Sequence, residues 1–291
     1  MINGIKKYDK TQNQKFDFSV LIPTWNNLEI LKNCLKSLEK NSSLSIQPII
    51  IANEGKDGTL EWLEQSKYDY IHAKENIGIC YALNICRSLI KSEYVVYLND
   101  DMYVLPNWDT GFQREINNYD GKDFMFSGTM IEPIETGNHC VIVKNYGNGM
   151  ANFQEEQLLA EYKSLEKQDW SGSTWPPNVV HLDLWDMVGG LSTEFSPGMY
   201  SDPDFSKKIY NAGVRNFKGI ADVRVYHFGS KSTKRVKKNT GRKQFIQKWG
   251  MSSGDFTKKF LNQGNDYEGK LKETRLNSMK RLKNWVKRLI S

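Results

Sequence analysis

The chain has 291 residues, of which 39% are hydrophobic and 12% aromatic, a composition typical of a globular protein with a sizeable core. No stretch approaches the roughly 18 to 20 apolar residues of a membrane span, and the N-terminal segment has no apolar signal-peptide region. The four cysteines follow no disulfide or zinc spacing, which indicates reduced thiols. We therefore expect a cytoplasmic protein.

The formal net charge of +6 is concentrated near the C-terminus, since the chain is strongly basic from Lys231 onward and close to neutral before it. Such a basic segment favours an acidic partner: nucleic acid, anionic lipid or a phosphorylated substrate. A solvated charged face is the alternative. No motif for reading bases accompanies the charge, so we do not expect a nucleic-acid partner.

Strands and helices alternate in the first hundred residues, after a polar N-terminal extension (1–15) that we expect to be frayed. The first strand covers 18–25 and ends at a proline. Leucines at 28, 31, 35 and 38 share one face of the helix that follows. Short apolar runs predict strands at 47–55, 68–75 and 93–101, with helices around 60–63 and at 78–92. This order is typical of a parallel sheet covered by helices.

Polar residues follow the strands of this predicted sheet, at 23–26, at Asn53 and at 99–101. Because ligands of open α/β sheets bind outside the carboxyl ends of the strands, we expect these residues to share a ligand-binding rim.

The second half is less regular. Its patterns predict strands at 124–130, 139–145 and 222–230, a helix at 155–167, and a strand that runs into a helix over 178–190. A further helix covers 201–213, with Ser201 as its N-cap and Gly213 at its end.

Three groups of residues carry candidate chemistry. Asp100 and Asp101, after Asn99, suit Mg²⁺ or Mn²⁺; a turn or a helix cap is the alternative. Asp202, in the first turn of its helix, suits a general base, although the helix dipole alone also favours acids there. His227 ends a strand before a glycine, where it suits a metal ligand or a structural hydrogen bond.

Six segments, taken in order, resemble the inverting family 2 glycosyltransferases of GT-A fold, over roughly residues 18–249. They are "VLIPTWNN", "ANEGKDGT" (matching at Asn53 and Asp57 to Thr59), "ENIGICYALN" (matching at Asn76, Gly78, Ala82 and Asn84), "LNDD", "YSDPDFSKKIYNAG" and "VYHFGSKST". The sequence departs from the family pattern at Ala52, Leu83, Asn99 and Ser201.

The resemblance implies a Rossmann-like, mostly parallel central sheet flanked by helices. A domain at 16–250 would comprise a nucleotide-binding half (16–104) and an acceptor-binding half (105–250). It also implies a metal-dependent transferase of class EC 2.4, of the bacterial polysaccharide, O-antigen or capsule type. The donor would be a nucleoside-diphosphate sugar, UDP before dTDP or GDP, and the acceptor a saccharide or a lipid-linked saccharide.

The resemblance also implies roles for individual residues. Asp202 would be the catalytic base, and Asp101 with His227 would hold Mn²⁺ or Mg²⁺. Trp175 and Trp185 would contact the acceptor, with Trp170 as a further stacking candidate; buried core tryptophans are the alternative. The nucleotide would be bound by Pro23, Thr24, Trp25, Asn26, Asn53, Asp57, Asn76, Gly78, Asn84, Asn99 and Asp100.

The basic C-terminal extension (251–291) has apolar residues at helical spacing from about Lys270: Leu271, Met279, Leu282, Trp285, Val286 and Leu289. This pattern is typical of an interfacial helix on an anionic membrane, which would make the protein peripheral on the inner face. A helix that packs on the catalytic domain or on a second subunit is the alternative.

Two rival functions remain at this point. A nucleotidyltransferase would carry a Gly-rich, Arg-bearing loop after the first strand, and "PTWNN" lacks one. A non-catalytic nucleotide-sugar or carbohydrate-binding relative would not need Asp101, Asp202 and His227 together.

Overall fold

The computed structural model describes residues 4–229 and 240–289, and one mixed sheet forms its centre. The strand order across the sheet is β1-β4-β3-β2-β5-β10-β7-β11-β6, with β8 beside β7 and β9 beside β11. The strands are β1 (Ile5–Tyr8), β2 (Phe18–Trp25), β3 (Ile46–Asn53), β4 (Asp69–Ala73), β5 (Tyr94–Tyr97), β6 (Met102–Val104), β7 (Phe124–Glu132), β8 (Ile142–Val143), β9 (Trp170–Ser171), β10 (Asn178–His181) and β11 (Asn216–His227).

Helices cover both faces of the sheet. The helices are α1 (Leu28–Asn41), α2 (Thr59–Gln65), α3 (Gly78–Ile85), α4 (Trp108–Asn117), α5 (Glu155–Glu161), α6 (Leu182–Val188), α7 (Ser201–Asn211), α8 (Gly241–Trp249), α9 (Ser253–Asp255) and α10 (Ser278–Leu289). One core cluster joins the sheet to α1 and α4, through residues such as Leu35 and Trp108. The other joins it to α3, α7 and α8, through Leu83, Ile209 and Phe245.

The first half has the predicted parallel arrangement, with β4, β3, β2 and β5 as neighbours. Strand β2 has the predicted bounds, Phe18–Trp25, but Pro23 lies within it and does not end it. Its pairing with β5 ends at Leu21, so at Pro23 the strand pairs with β3 alone. A proline is tolerated there because the strand is locally at an edge.

Residues 5–8 form a strand where the sequence predicted a frayed extension. Strand β1 pairs antiparallel with β4, and the ring of Tyr8 stacks on that of Tyr70 at 4.3 Å. Just beyond β1, the buried carboxylate of Asp69 accepts hydrogen bonds from the backbone N–H groups of Lys10 (2.6 Å) and Thr11 (3.0 Å). A short edge strand with few apolar residues gives little signal in sequence.

The second half mixes strand directions. Strand β10 runs antiparallel to β5 and β7, whereas β11 runs parallel to β7 and antiparallel to β6. Residue Tyr200 precedes α7 in a left-handed conformation (φ 71°), and the Ser201 hydroxyl donates to the Gly198 carbonyl at 2.6 Å. The prediction that Ser201 is the N-cap is therefore wrong: Ser201 is the first helical residue, and Tyr200 occupies the N-cap position.

Part of the predicted basic region, including 231–238 and Ser230 to Thr233 of the last motif, lies outside the described residues. The C-terminal helix begins at Ser278 and not near Lys270. Across residues 4–229 and 240–289, every helix is too short or too polar to cross a bilayer.

Candidate active site

The pairing of β6 with β11 brings Asp101 and His227 together. His227 lies opposite Met102 in the antiparallel register, and the next backbone N–H, that of Phe228, donates to the Asp101 carbonyl at 3.0 Å. As a result, His227 Nε2 lies 3.4 Å from Asp101 Oδ1. Both side chains are buried, so the two residues that the sequence predicted as metal ligands meet in the fold.

Glu132 contacts His227 from the far side of the imidazole ring, from β7, which is parallel to β11 and pairs Ile131 with Tyr226. Its Oε1 lies 2.8 Å from His227 Nδ1 and so fixes the orientation of the imidazole ring. Burial lowers the pKa of His227, but the Asp101 and Glu132 carboxylates outweigh it and raise that pKa to about 10. The sequence analysis missed Glu132, although an acidic residue that ends a buried strand is a usable signal.

The Asp101–His227 pair fits a divalent cation. Asp101 Oδ1 and His227 Nε2 are both buried, face each other and lack a well-formed hydrogen bond in the structure. A carboxylate oxygen suits Mn²⁺ or Mg²⁺, and imidazole ligates a metal ion only as the neutral base, so metal binding would release the proton that the two carboxylates hold on His227. The described residues hold no cluster of three or more such ligands, so water and diphosphate oxygens would supply the remaining positions.

The neighbouring carboxylate, Asp100, faces the opposite way. Its Oδ2 accepts a hydrogen bond from Thr24 Oγ1 at 2.7 Å and another from Asn27 Nδ2 at 3.3 Å. These bonds tie the loop after β5 to the end of β2. Asp100 therefore anchors the rim, and Asp101 is the residue that faces His227.

Asp202 reaches the same rim because the loop before α7 docks on α3. The Ile79 N–H donates to the Pro197 carbonyl at 2.9 Å, and Ser196 Oγ donates to the Ile77 carbonyl at 3.3 Å. Gly78 permits this approach: a Cβ there would lie 2.6 Å from Ser196 Oγ. The first turn of α7, with Asp202, is thereby held beside the nucleotide-binding half.

Buried Tyr97 lies among the acidic residues of the site. Burial raises the pKa of Tyr97 well above its usual value, and the charges of Asp202, Asp101 and Asp100 raise it further. The three carboxylates thus lie within electrostatic range of one side chain. Burial also raises the pKa of Asp202 to about 7, which is near the optimum for a general base at neutral pH.

Several predicted nucleotide-binding side chains hold the backbone of the rim. Asn53 accepts from the Ile77 N–H at 3.0 Å, and Asn76 accepts from the Gly78 N–H at 2.9 Å. Asn26 accepts from the Lys56 N–H at 2.8 Å, and Asp57 accepts from the Leu28 N–H at 2.7 Å. Pro23, Thr24 and Trp25 end β2, while Asn99 is partly exposed in the next loop. Their contact with a nucleotide stays a prediction.

Two further predicted residues have structural roles. The Asn84 side chain accepts from the Leu191 N–H (2.8 Å) and donates to the Leu191 carbonyl (2.7 Å), which joins α3 to the second half. Trp185 is 4% exposed and packs against Phe205, as in the alternative of a core tryptophan, and its contact with an acceptor stays a prediction.

Two other tryptophans were candidates for sugar stacking. Trp170 is buried, and its indole N–H donates to Thr129 Oγ1 at 3.0 Å. Trp175 is partly exposed and stays a candidate for contact with the acceptor.

Sequence comparisons find a similarity to known glycosyltransferases in the N-terminal part of the chain. The family model "Glycosyl transferase family 2" matches residues 19–127. The "Uncharacterized glycosyltransferase YfnE" of Bacillus subtilis (strain 168) is 34% identical over 89 residues. That alignment covers 29% of this chain and 23% of the Bacillus protein, so the chain spans less than a quarter of that relative's length.

Solved structures resemble most of the chain. The structure of S. aureus TarS 1-349 superposes with a TM-score of 0.55 and is 13% identical in sequence. The alignment covers 94% of this chain and 70% of the TarS chain. The mannosyltransferase PcManGT from Pyrobaculum calidifontis covers 86% of this chain at a TM-score of 0.51 and 17% identity, over 68% of its own chain. GalNAc-T7 covers 85% at 0.57 and 13% identity, over 50% of its own chain. These likenesses confirm the predicted GT-A fold.

Proposed function

We propose that this chain is an inverting glycosyltransferase that moves a sugar from a nucleoside-diphosphate sugar to a hydroxyl group of a saccharide or lipid-linked saccharide. The observation that carries the proposal is the contact of Asp101 with His227 at 3.4 Å, in a GT-A fold where the charges of Asp101 and Asp202 both act on buried Tyr97. The family match over residues 19–127 supports it independently.

The Asp101–His227 pair would hold Mn²⁺ or Mg²⁺, and the bound ion would neutralise charge on the departing diphosphate. Glu132 keeps the imidazole oriented for this role through its hydrogen bond to Nδ1. Asp100 contributes by fixing the loop that carries Asp101, through its bonds to Thr24 and Asn27.

Asp202 would accept the proton of the acceptor hydroxyl as that oxygen attacks the anomeric carbon. Its pKa of about 7 leaves a substantial fraction ionised at neutral pH, while keeping it a stronger base than an ordinary aspartate. A single base on the face opposite the leaving group gives one displacement and inverted configuration, through an oxocarbenium-like transition state.

The ligands named for the similar structures guide the choice of donor. TarS 1-349 was solved with UDP and with UDP-GlcNAc, PcManGT with GDP-Man and Mn²⁺, and GalNAc-T7 with UDP, GalNAc and Mn²⁺. A UDP-sugar is therefore the first donor to test, with dTDP- and GDP-sugars next. A role in bacterial polysaccharide, O-antigen or capsule assembly stays a prediction.

The first experiment is a thermal-shift screen of UDP, GDP, dTDP and CMP, each with and without Mn²⁺. We expect one diphosphate to raise the melting temperature in a metal-dependent way, because a ligand that binds only the folded state stabilises it. Asp101→Ala should abolish the metal-dependent part, while Asp120→Ala, an exposed control, should keep it. An unchanged Mn²⁺ response in Asp101→Ala would contradict the assigned metal site.

The second experiment follows release of nucleoside diphosphate from the donor identified by that screen, with and without candidate saccharide acceptors. Asp202→Asn should lower turnover by about two to four orders of magnitude and leave the nucleotide-induced thermal shift intact. Loss of nucleotide affinity in Asp202→Asn would contradict its role as base. A wild-type chain that binds nucleotide but never releases it from a donor would favour the non-catalytic relative.

A further inference from the structure

Helix α10 is attached to the rest of the molecule by its polar face. Asn284 is 1% exposed; its Nδ2 donates to Asp255 Oδ2 at 2.9 Å and its Oδ1 accepts from the Ser252 N–H at 3.3 Å. Lys280 Nζ lies 3.0 Å from Asp255 Oδ1. These contacts hold the helix beside α8 and α9.

The opposite face of α10 is apolar and exposed. At about 100° per residue, Asn284 lies roughly opposite the centre of an apolar stripe. The exposed fractions in this stripe are Met279 67%, Leu282 60%, Trp285 58%, Val286 44% and Leu289 66%. An amphipathic helix normally buries its apolar face, so this arrangement leaves a contiguous surface that favours a partner.

The alternative that the stripe packs on the catalytic domain is therefore wrong for α10. Leu271, which the sequence analysis placed in the same stripe, does pack against the core, but it lies before the helix begins. Among the described residues of one chain, the stripe of α10 is left exposed.

The charges around the stripe favour an anionic partner. Helix α10 contains Lys280, Arg281, Lys283, Lys287 and Arg288 and no acidic residue. Arg281, Arg288, Leu282 and Trp285 also line a groove of about 500 Å³ that reaches Gly250. Two guanidinium groups beside an aliphatic and an aromatic side chain suit a phosphate headgroup with an attached acyl chain.

We propose that α10 binds in the plane of an anionic lipid bilayer, with its apolar stripe among the acyl chains and its basic residues at the phosphate groups. A second copy of the chain fits this surface less well. A two-fold symmetric pairing would bring two sets of the same five basic residues together, and like charges repel. The proposal goes beyond the proposed function and does not rest on it.

The position of α10 relates the membrane surface to the acceptor-binding half. Helix α10 contacts α8, and Trp249 at the end of α8 donates its indole N–H to Asp204 Oδ1 on α7 at 2.8 Å. Helix α7 also carries Asp202. A bilayer against α10 would therefore lie on the half of the molecule that supplies the proposed base, as a lipid-linked acceptor requires.

The test is co-sedimentation of the full chain with vesicles of phosphatidylcholine alone and of phosphatidylcholine with about one third phosphatidylglycerol. We expect binding to the anionic vesicles that weakens with salt. The double variant Leu282→Gln with Trp285→Gln should lower the partition coefficient about tenfold or more. The double variant Lys283→Gln with Lys287→Gln should lower it about fivefold for each lysine removed. Met187→Gln, at a side chain 71% exposed on α6, is the matched control and should bind as the wild type does.

Two outcomes would overturn the proposal. One is partitioning that is equal on neutral and anionic vesicles or unaffected by the stripe variants. The other is a concentration-dependent dimer in sedimentation equilibrium that Trp285→Gln abolishes, which would assign the stripe to a second copy. Circular dichroism and the nucleotide thermal shift of each variant keep misfolding and failure of the proposed function distinguishable from failure of membrane binding.

Discussion

Asp100 and Asp101 are consecutive in the chain, yet their carboxylates have different partners. Asp100 accepts hydrogen bonds from Thr24 and Asn27, whereas Asp101 lies beside His227. Placing two acids side by side is costly unless each has a donor or a cation to interact with. The division of partners makes the pair tolerable in the protein alone, and a bound divalent cation would stabilise it further.

Asp202, the proposed base, lowers the stability of the folded chain when it is ionised. Its pKa is about 7 in the folded chain and about 4 in the unfolded chain, so the unfolded state loses its proton first as pH rises. Stability attributable to this group therefore falls between about pH 4 and pH 7 and stays low above that range. We expect Asp202→Asn to raise the free energy of unfolding by about 1 to 2 kcal/mol at pH 8 and to have no such effect at pH 4.

Urea denaturation at the two pH values would measure this difference. Asp204→Asn, two residues along α7, should act in the opposite direction at pH 8. Asp204 is fully buried, accepts from the Trp249 indole N–H and lies 2.9 Å from Lys248 Nζ, so its charge is compensated. A pH-independent effect of Asp202→Asn would contradict the raised pKa.

Glu132 should act through His227 and not on the substrate directly. Glu132→Ala removes the hydrogen bond to Nδ1, and loss of such an outer-shell partner typically weakens metal binding about 10- to 100-fold. Titration of Mn²⁺ at saturating nucleotide, followed by thermal shift, would measure the change. Glu132→Gln, which keeps an acceptor oxygen, should recover part of the affinity, and the exposed Glu135→Ala should have none of the effect. Equal losses in the Ala and Gln variants would point to a charge effect.

At the scale of elements, the contact between α3 and the loop before α7 determines where Asp202 lies. Gly78 has φ +73°, and a Cβ there would lie 2.6 Å from Ser196 Oγ and 2.7 Å from Pro197 Cα. Gly189 has nearly the same φ, +70°, but a Cβ there would meet nothing within 4 Å. Comparing an alanine substitution at Gly78 with one at Gly189 therefore separates the effect of backbone strain from the effect of steric contact.

We expect the free energy of unfolding to fall by about 1 kcal/mol in both Gly78→Ala and Gly189→Ala, because a residue with a Cβ is strained in the left-handed conformation. The free energy of unfolding should fall by about 2 kcal/mol more in Gly78→Ala, because the loop at Ser196 and Pro197 must move to make room for the new Cβ. Gly78→Ala should also lower turnover, since displacement of the loop moves Asp202. Chemical denaturation and product formation, measured on both variants, would show this; equal stabilities would mean that the loop shifts without cost.

The hydrophobic pattern of the sequence predicted the long apolar strands and missed the short, polar ones. Strands β2, β3 and β5 are continuous apolar runs between two layers of helices, so their positions were visible. Strand β1 contains two lysines in four residues and is held by pairing at an edge. The start of α10 was misplaced by eight residues, from Lys270 to Ser278, because Leu271 fits the helical spacing while packing on the core in a segment without regular secondary structure.

The whole site depends on contacts between distant parts of the chain. The family model ends at residue 127, yet Glu132, Asp202 and His227 all follow it. Asp101 and His227 were predicted as partners from a resemblance, but their proximity depends on the register of β6 against β11, which the sequence does not display. Glu132 has a signal in sequence as the acidic end of a buried strand, but its contact with His227 also depends on strand register. Burial of Trp185 against Phe205 depends on how α6 packs on α7.

Asn84 tests how the two halves are joined. Its side chain makes two hydrogen bonds to the backbone of buried Leu191, and Asn84→Ala would leave both backbone groups without that partner. We expect the free energy of unfolding to fall by about 2 to 3 kcal/mol, since an unsatisfied buried polar group costs about 1 to 3 kcal/mol. Denaturation of Asn84→Ala beside Asn117→Ala, an exposed helical asparagine bonded to Gln113, would measure the difference.

The same variant also decides between two roles for Asn84. The family resemblance implies contact with the nucleotide, whereas the hydrogen bonds to Leu191 imply a structural role at the junction of the two halves. If the junction is its role, the UDP- and Mn²⁺-dependent thermal shift should persist in Asn84→Ala on top of a lower melting temperature. If the nucleotide is its role, that shift should disappear while the stability without ligand stays close to wild type. The two bonds to Leu191, at 2.7 and 2.8 Å, occupy both ends of the amide, so we expect the first result.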